Sequence, residues 1–398
     1  MRRKSGILWV LLAGTFVFML LCGGCGGSSN DGGSDFAGGS GTREDPWQIA
    51  TAQQLENVGH HLAGHFLLTR DIDLASYENW TPLGAFVPAS GEDEEAPIME
   101  LTFTGVFDGG GHTISNVTVS APEGSGVGLF GCTAGDNGSV SNLTVKNVKV
   151  KGAMLVGGVV GYGRGSGVKN VRLAGDNTVE GGFLVGGIVG GGFCDIEGCT
   201  AQADVTLSGN DSQGIGVLAG GMEACDIVDS SAAGTVTVNG TGNMSIGGLA
   251  GSAHNSKNVR NCTSDVTMTI GGNNILIGGL VGHSGMESSE GDEPTSISGC
   301  SATAVINASA GSERIGGIVG GGFFTQQYRE FRPEPGAIRV EKCVTHGKID
   351  GGTLAGTLIG YAYSNSVAEG CTSDMTINGQ PGDPIGATSA TVSLDDLK

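Results

Sequence analysis

Aromatic residues make up only 5% of this 398-residue chain and charged residues only 15%. Poverty in aromatics argues against a β-propeller, whose blades carry aromatic signatures and need four strands each. Basic residues are scarce: 20 Lys and Arg stand against 40 Asp and Glu, a formal charge of −20. Such a surface repels nucleic acid and anionic lipid. It suits cations, basic proteins or simply the solubility of an exported domain. Past residue 25 there is no C-x-x-C pair, so the commonest zinc spacing is missing. G-x-S-x-G, H-E-x-x-H and P-loop signatures are also absent, and nothing calls for a metal or a cofactor. The 76 glycines follow no G-X-Y period, which excludes collagen. Helical periodicity is absent from the body of the chain. Gly-Gly pairs recurring in a helical repeat would cost about 1 kcal/mol per Gly.

What is there is a repeat. Eight anchors, each a variant of apolar-Gly-Gly-apolar-apolar-Gly, begin at Val127, Val156, Val185, Ile215, Ile246, Ile277, Ile315 and Ala355. Their starts are spaced by 29, 29, 30, 31, 31, 38 and 40 residues. A second landmark follows each anchor: Val140…Leu143, Val168…Val171, Ile196…Cys199, Ile227…Ser230, Val259…Cys262, Ile297…Cys300, Val340…Cys343 and Ala368…Cys371. A third apolar stretch closes most units, as in Val266-Thr-Met-Thr-Ile270. Gly, Asn, Asp and Ser separate the three runs, the signature of strands and turns.

Three short strands in about 30 residues fit one coil of a right-handed parallel β-helix, an all-β solenoid. Equivalent residues of successive coils would stack at roughly 4.8 Å, so an interior position meets its own copy above and below. That explains why Val, Ile and Leu recur there, and why Gly recurs where backbones approach closely.

The ends read differently. Arg2-Arg3-Lys4 followed by the apolar run from Gly6 to Leu21 is a signal segment, too short to span a membrane. Cys22-Gly-Gly-Cys25 follows it, and residues 1–25 resemble a bacterial lipoprotein leader with Cys25 as the lipidated residue. Loss of Arg2, Arg3 and Lys4 takes the charge from −20 to −23. Residues 26–41 read as a flexible Gly/Ser tether. Residues 42–126 read as an N-terminal cap and first coils, with a short amphipathic capping helix over 51–63 that presents Leu55, Val58 and Leu62. The eight repeats occupy 127–380, and 381–398 read as a C-terminal cap or tail.

The anchors resemble the GLUG motif of bacterial surface and secreted proteins. Such proteins often begin with segments similar to Gly41-Thr-Arg-Glu-Asp45-Pro46-Trp47-Gln-Ile49, Asp71-Ile-Asp-Leu74, Trp80-Thr-Pro-Leu-Gly84 and Phe107-Asp-Gly-Gly-Gly-His112-Thr-Ile114. The resemblance covers roughly residues 41–378. It implies a β-helix and an extracellular setting, and little about activity.

Candidate functional residues are few. Cys262, Cys300, Cys343 and Cys371 share the landmark position on neighbouring coils and are expected as a stacked ladder of buried thiols. Cys194 and Cys225 each precede an Asp-Ile and form the candidate disulfide. Asp71, Asp73, Asp108 and His112 are the nearest thing to a catalytic carboxylate cluster, and His61 and His65 are spaced as a metal pair on a helix. Both sets read better as parts of the N-terminal fold. Units six and seven carry insertions at the same place, 284–295 and 321–337. The second holds Phe323, Phe324, Tyr328, Arg329, Phe331 and Arg332, the densest aromatic cluster in an aromatic-poor chain. Aromatic and Arg side chains suit binding hot spots and sugar rings. The expectation is a monomeric, lipid-anchored, non-catalytic binding or scaffold protein on the outer membrane surface, its partner a glycan, matrix or cell-surface ligand. The competing classes are a polysaccharide-active β-helix enzyme and a purely structural envelope protein.

Overall fold

The computed structural model describes residues 35–86, 101–256, 258–285, 295–322, 338–362 and 366–388. The chain divides into two units, 1–34 and 35–398, of which the first lies outside the described residues together with Cys25.

The second unit is a parallel β-helix. All eight landmark residues stand in register, from Val140 opposite Val168 through Ile196, Ile227, Val259, Ile297 and Val340 to Ala368. The eight anchor residues form a second unbroken column, from Val127 and Val156 to Ile315 and Ala355. Val119, Val150, Val179, Val205, Val236, Met268, Ile306, Ile349 and Ile377 form a third. The core between the columns is almost wholly aliphatic. Each Val or Ile removed from water there contributes about 1.5–3 kcal/mol.

One detail departs from the three-strand expectation. Each anchor is split between two strands around a bend, as in Ile275–Gly278 and Val281–Gly285. A Cβ on Gly278 would lie 1.9 Å from the carbonyl oxygen of Val281, and one on Gly279 would lie 2.2 Å from that of Gly317. The Gly-Gly pair exists because the chain folds against itself and against the next coil at that point. The residue two past each landmark start is left-handed: Asn142, Asn170, Gly198, Asp229, Asn261, Gly299, Lys342 and Gly370, with φ from 51° to 63°. Asn, Asp and Gly tolerate this region best. Their amides also stack, Asn170 donating to Asn142 at 3.1 Å and Asn261 to Asp229 at 2.9 Å.

Both ends differ from expectation. The capping helix is Ala52–Asn57, continued by a 3₁₀ turn Val58–His60, and stops short of residue 63. Thr51 caps it by accepting from the Gln54 N–H, and Gly59 breaks it. Leu55 and Val58 are buried, while Leu62 lies beyond the helix and is half-buried. The proposed tether is corrected at its end: residues 35–41 pack on the cap. Phe36 is buried and stacks on Trp47 at 4.9 Å between ring centres. The Ala37 N–H donates to the Gln48 carbonyl at 2.8 Å. At the other end, Thr376–Ile377 turns back against Gln380–Pro381, and Ile385–Thr388 then rejoins the sheet beside Ile359–Ala362. The tail therefore begins after a further strand, and residues 389–398 lie outside the described residues.

Candidate functional site

The two insertions leave from and return to neighbouring rungs of one corner. Their entry strands are paired through Val281 opposite Val319 and His283 opposite Gly321. Their return strands are paired through Thr295 opposite Ile338. The side-by-side placement expected from the sequence is therefore fixed at the stems. Phe323, Phe324, Tyr328, Arg329, Phe331 and Arg332 themselves lie outside the described residues, as do residues 286–294 and the acidic run 92–95.

The same corner continues down the earlier coils as a ridge, exposed at Arg164 and Phe193 and half-buried at Glu223 and His254. Arg164 stands opposite Phe193, Glu223 opposite His254, and His254 opposite Gly285, at the stem of the first insertion. Gly192 faces Met222, which sets Phe193 beside Glu223. Phe193 is 43% exposed, and it is the one exposed Phe among the described residues. The sequence reading missed this ridge. Its members are separated by 29, 30 and 31 residues, the repeat spacing itself, and aligning the units would have found it.

Inside the ridge, the His254 and His283 rings lie 5.3 Å apart. Burial, helped by the neighbouring His254, pushes the His283 imidazole down to about 3. It is neutral at ordinary pH. Next along, the Arg314 guanidinium lies over the Tyr361 ring at 4.8 Å. A shallow groove of about 440 Å³ lies on another part of the coil, lined by Lys151, Met154, Glu180, Phe183 and Ser208. The Lys151–Glu180 ion pair, 2.8 Å, bridges neighbouring rungs there.

The N-terminal acidic residues have structural work. Asp71 accepts the Thr113 N–H at 2.9 Å and lies 3.4 Å from the His112 ring. Asp73 accepts from Asn116 at 2.7 Å and from the Ala75 N–H at 2.9 Å, and these bonds hold its carboxyl below the usual range. Asp108 accepts from the Gly110 N–H at 2.9 Å and from Asn142 at 3.1 Å. His61 packs against Trp47 at 4.7 Å between ring centres and against Phe36 at 5.5 Å. Among the described residues, no three His, Cys, Asp or Glu side chains converge on one point.

The cysteines are stacked as expected. The Cys262 N–H donates to Cys300 Sγ and the Cys343 N–H to Cys371 Sγ, each at 3.4 Å. Cys199 begins the same row, but Ser230 follows it, accepting the Cys199 N–H at 3.1 Å. Cys194 and Cys225 sit on adjacent rungs, two residues before the paired Ile196 and Ile227. Both are buried free thiols in this structure. Burial pushes Cys199 up to about 11 and Cys225 and Cys132 up to about 12.

Comparison with known proteins agrees with the repeat. The family model described as the GLUG motif matches residues 181–206 and 242–270. Halomucin of Haloquadratum walsbyi is 33% identical over 142 residues, 34% of this chain and 2% of that protein. A "putative Gly-rich membrane protein" of Evansella cellulosilytica is 36% identical over 142 residues, 33% of this chain and 15% of that protein. The chain thus spans only a small part of the curated relatives it matches. A crystal structure of a "putative immunoglobulin A1 protease" from Bacteroides ovatus aligns with 89% of this chain and 87% of its own, with 17% identity and a TM-score of 0.41. Both figures are too low to carry a function across. The chain carries GLUG motifs on the coils of a β-helix.

Proposed function

We propose that this protein is a non-catalytic binding or scaffold component of the bacterial cell envelope, anchored by lipid on Cys25 and exposed at the surface. Its binding surface is the corner where the stems of both insertions stand, with the ridge of Arg164, Phe193, Glu223 and His254 leading to it. The observation that supports this reading is the pairing of the stems, Val281 with Val319 and Thr295 with Ile338. A solenoid that places the two longest of its eight repeats on neighbouring rungs concentrates side-chain variety at one point. The ligand class is a glycan or matrix protein, since aromatic and Arg side chains in the longer insertion suit sugar rings and protein hot spots. The names of the relatives, a halomucin and a Gly-rich membrane protein, favour an envelope setting.

The test is an array of glycans and matrix proteins probed with residues 35–398 and with the same protein lacking 323–337. Binding that disappears with the insertion supports the proposal. Binding by neither protein removes it and favours a structural envelope role. Anchoring is tested separately: Cys25→Ser should release the protein from membranes, and retention would contradict a lipid on Cys25.

A further inference from the structure

Charge is spread unevenly along the solenoid. The first two repeats, 127–184, carry six Lys and Arg against three Asp and Glu. The next two, 185–245, carry seven acids and no Lys or Arg. In a chain of formal charge −20, one short stretch of coil is therefore net basic.

The register shows which of these cations are matched. Lys151 stands opposite Glu180 and Lys169 opposite Glu197, and both couples form ion pairs across the rungs, at 2.8 and 3.0 Å. Lys146, Lys149 and Arg172 have no such neighbour. Lys146 lies between Ser115 and Ala174, Lys149 between Thr118 and Thr178, and Arg172 between Thr144 and Thr200. All three are exposed and make no ion pair among the described residues. Arg172 is one rung across and two residues along from Lys146, about 8 Å away. Between Lys146 and Lys149 the chain turns at the left-handed Asn147, with Val148 buried. The patch thus wraps one corner of the coil. Asp176 is the acid at that corner, its N–H donating to Asn147 Oδ1 at 3.3 Å. Asp73 stands two rungs before Lys146, and Asp204 two rungs after Lys149. Two rungs are roughly 10 Å, beyond the Debye length of about 8 Å at physiological ionic strength. A ligand on the patch is therefore governed by the three free cations more than by the acids of the later coils.

The groove of about 440 Å³ adjoins this patch, since Lys151 lines it. Lys149 and Lys151 are alternate residues of one strand, both on its outer side, with Val150 buried between them. Met154 and Phe183, both half-buried, and Pro122 supply apolar surface to the groove. Free cations bordered by hydroxyls, next to a groove with one aromatic ring, match a polymer that alternates anionic groups with sugar rings. Single-stranded nucleic acid takes several rings to stack on, and the groove has only Phe183. A planar bilayer would also meet the acids of the flanking coils.

We propose that Lys146, Lys149 and Arg172, with the groove beside them, form a binding site for an acidic polysaccharide bearing carboxylate or sulfate groups. The cations hold the anionic groups, and a sugar ring lies in the groove against Phe183 and Met154. The site is separate from the corner of the insertions and does not depend on it.

The test is binding of the full chain to polygalacturonate, which is carboxylated, to dextran sulfate, and to neutral dextran, at two ionic strengths. Single-stranded DNA and vesicles containing phosphatidylglycerol are the competing polyanions. Binding to at least one acidic polysaccharide, weakening as salt rises, and none to dextran are expected. Which of the two binds distinguishes carboxylate from sulfate. Joint Lys146→Gln, Lys149→Gln and Arg172→Gln should cut affinity by about ten-fold. Arg43→Gln, Arg70→Gln and Lys348→Gln together remove the same charge elsewhere and should leave affinity unchanged. Phe183→Ala should weaken binding without altering its salt dependence. Failure to bind either acidic polysaccharide would overturn the proposal, and so would equal losses from the two triple variants. DNA or vesicles binding as tightly would also overturn it. Binding that survives the first triple variant but disappears on deletion of 323–337 would move the polymer to the insertion corner and overturn it too.

Discussion

At the N-terminal end the landmark column holds Trp47, Phe66 and Phe107, and at the C-terminal end it holds Val340 and Ala368. The neighbouring interior column changes in the same direction, from Leu143 and Val171 to Cys300, Cys343 and Cys371. Before the regular repeat begins, the coil is filled by large rings. Phe103 and Phe107 both lie edge-on to Phe130, at 5.1 and 5.2 Å. Trp80 is buried and donates to the Leu129 carbonyl at 3.2 Å. The later coils are filled by small side chains repeated rung after rung. The N-terminal end thus derives its order from a few large, unequal contacts, and the C-terminal end from many equal ones. This division leaves the later coils free to carry insertions, because no single side chain there holds the end together.

If that contrast is right, truncation should be costly at one end and mild at the other. Phe107→Ala is expected to destabilise by about 3–5 kcal/mol, and Cys300→Ala by about 1 kcal/mol, both read from denaturant unfolding of residues 35–398. Equal losses would refute the contrast. Backbone crowding at the anchors should matter more evenly along the solenoid. Gly279→Ala must displace the Gly317 carbonyl and should cost about 1–3 kcal/mol in the same assay.

His283 sharpens the comparison by pH. Its proton affinity is depressed to about 3 in the folded chain, so the unfolded chain binds more protons between that value and about 6.5. Its contribution to stability is complete above about 6.5 and is lost as pH falls toward 3, at about 1.4 kcal/mol per pH unit at most. His283→Gln should flatten that slope, and an unchanged slope would show that other groups dominate. The smallest effect concerns Lys342, the residue at the left-handed turn position that is neither Gly, Asn nor Asp. Lys342→Asn should stabilise by about 1 kcal/mol. A loss would mean that the Lys side chain contributes more than the strain removes.

Much of the fold was legible because a solenoid writes each interior position several times. The columns through Val140 and Val127 were read from spacing alone, and each residue stands where the period put it. Features occurring once were harder. Residues 35–41 look like linker by composition, yet Phe36 stacks on Trp47 and Ala37 and Gly38 pair with Gln48 along the backbone. The helix ended early because Gly59 outweighed the apolar spacing that pointed to Leu62. The bend inside the anchor was hidden because Gly-Gly marks a close approach without saying which way the chain turns. Of the candidate site, the insertions show in the sequence as excess length, but the ridge does not. Arg164, Phe193, Glu223 and His254 are chemically unlike, so no recurring letter marks their column.

The most direct test of the binding account is hydrogen exchange of residues 35–398, free and saturated with the ligand that the array identifies. The account predicts new protection in the stems, 281–285, 295–298, 319–321 and 338–341, and along the ridge. Protection confined to the aromatic N-terminal end, with the stems unchanged, would contradict it.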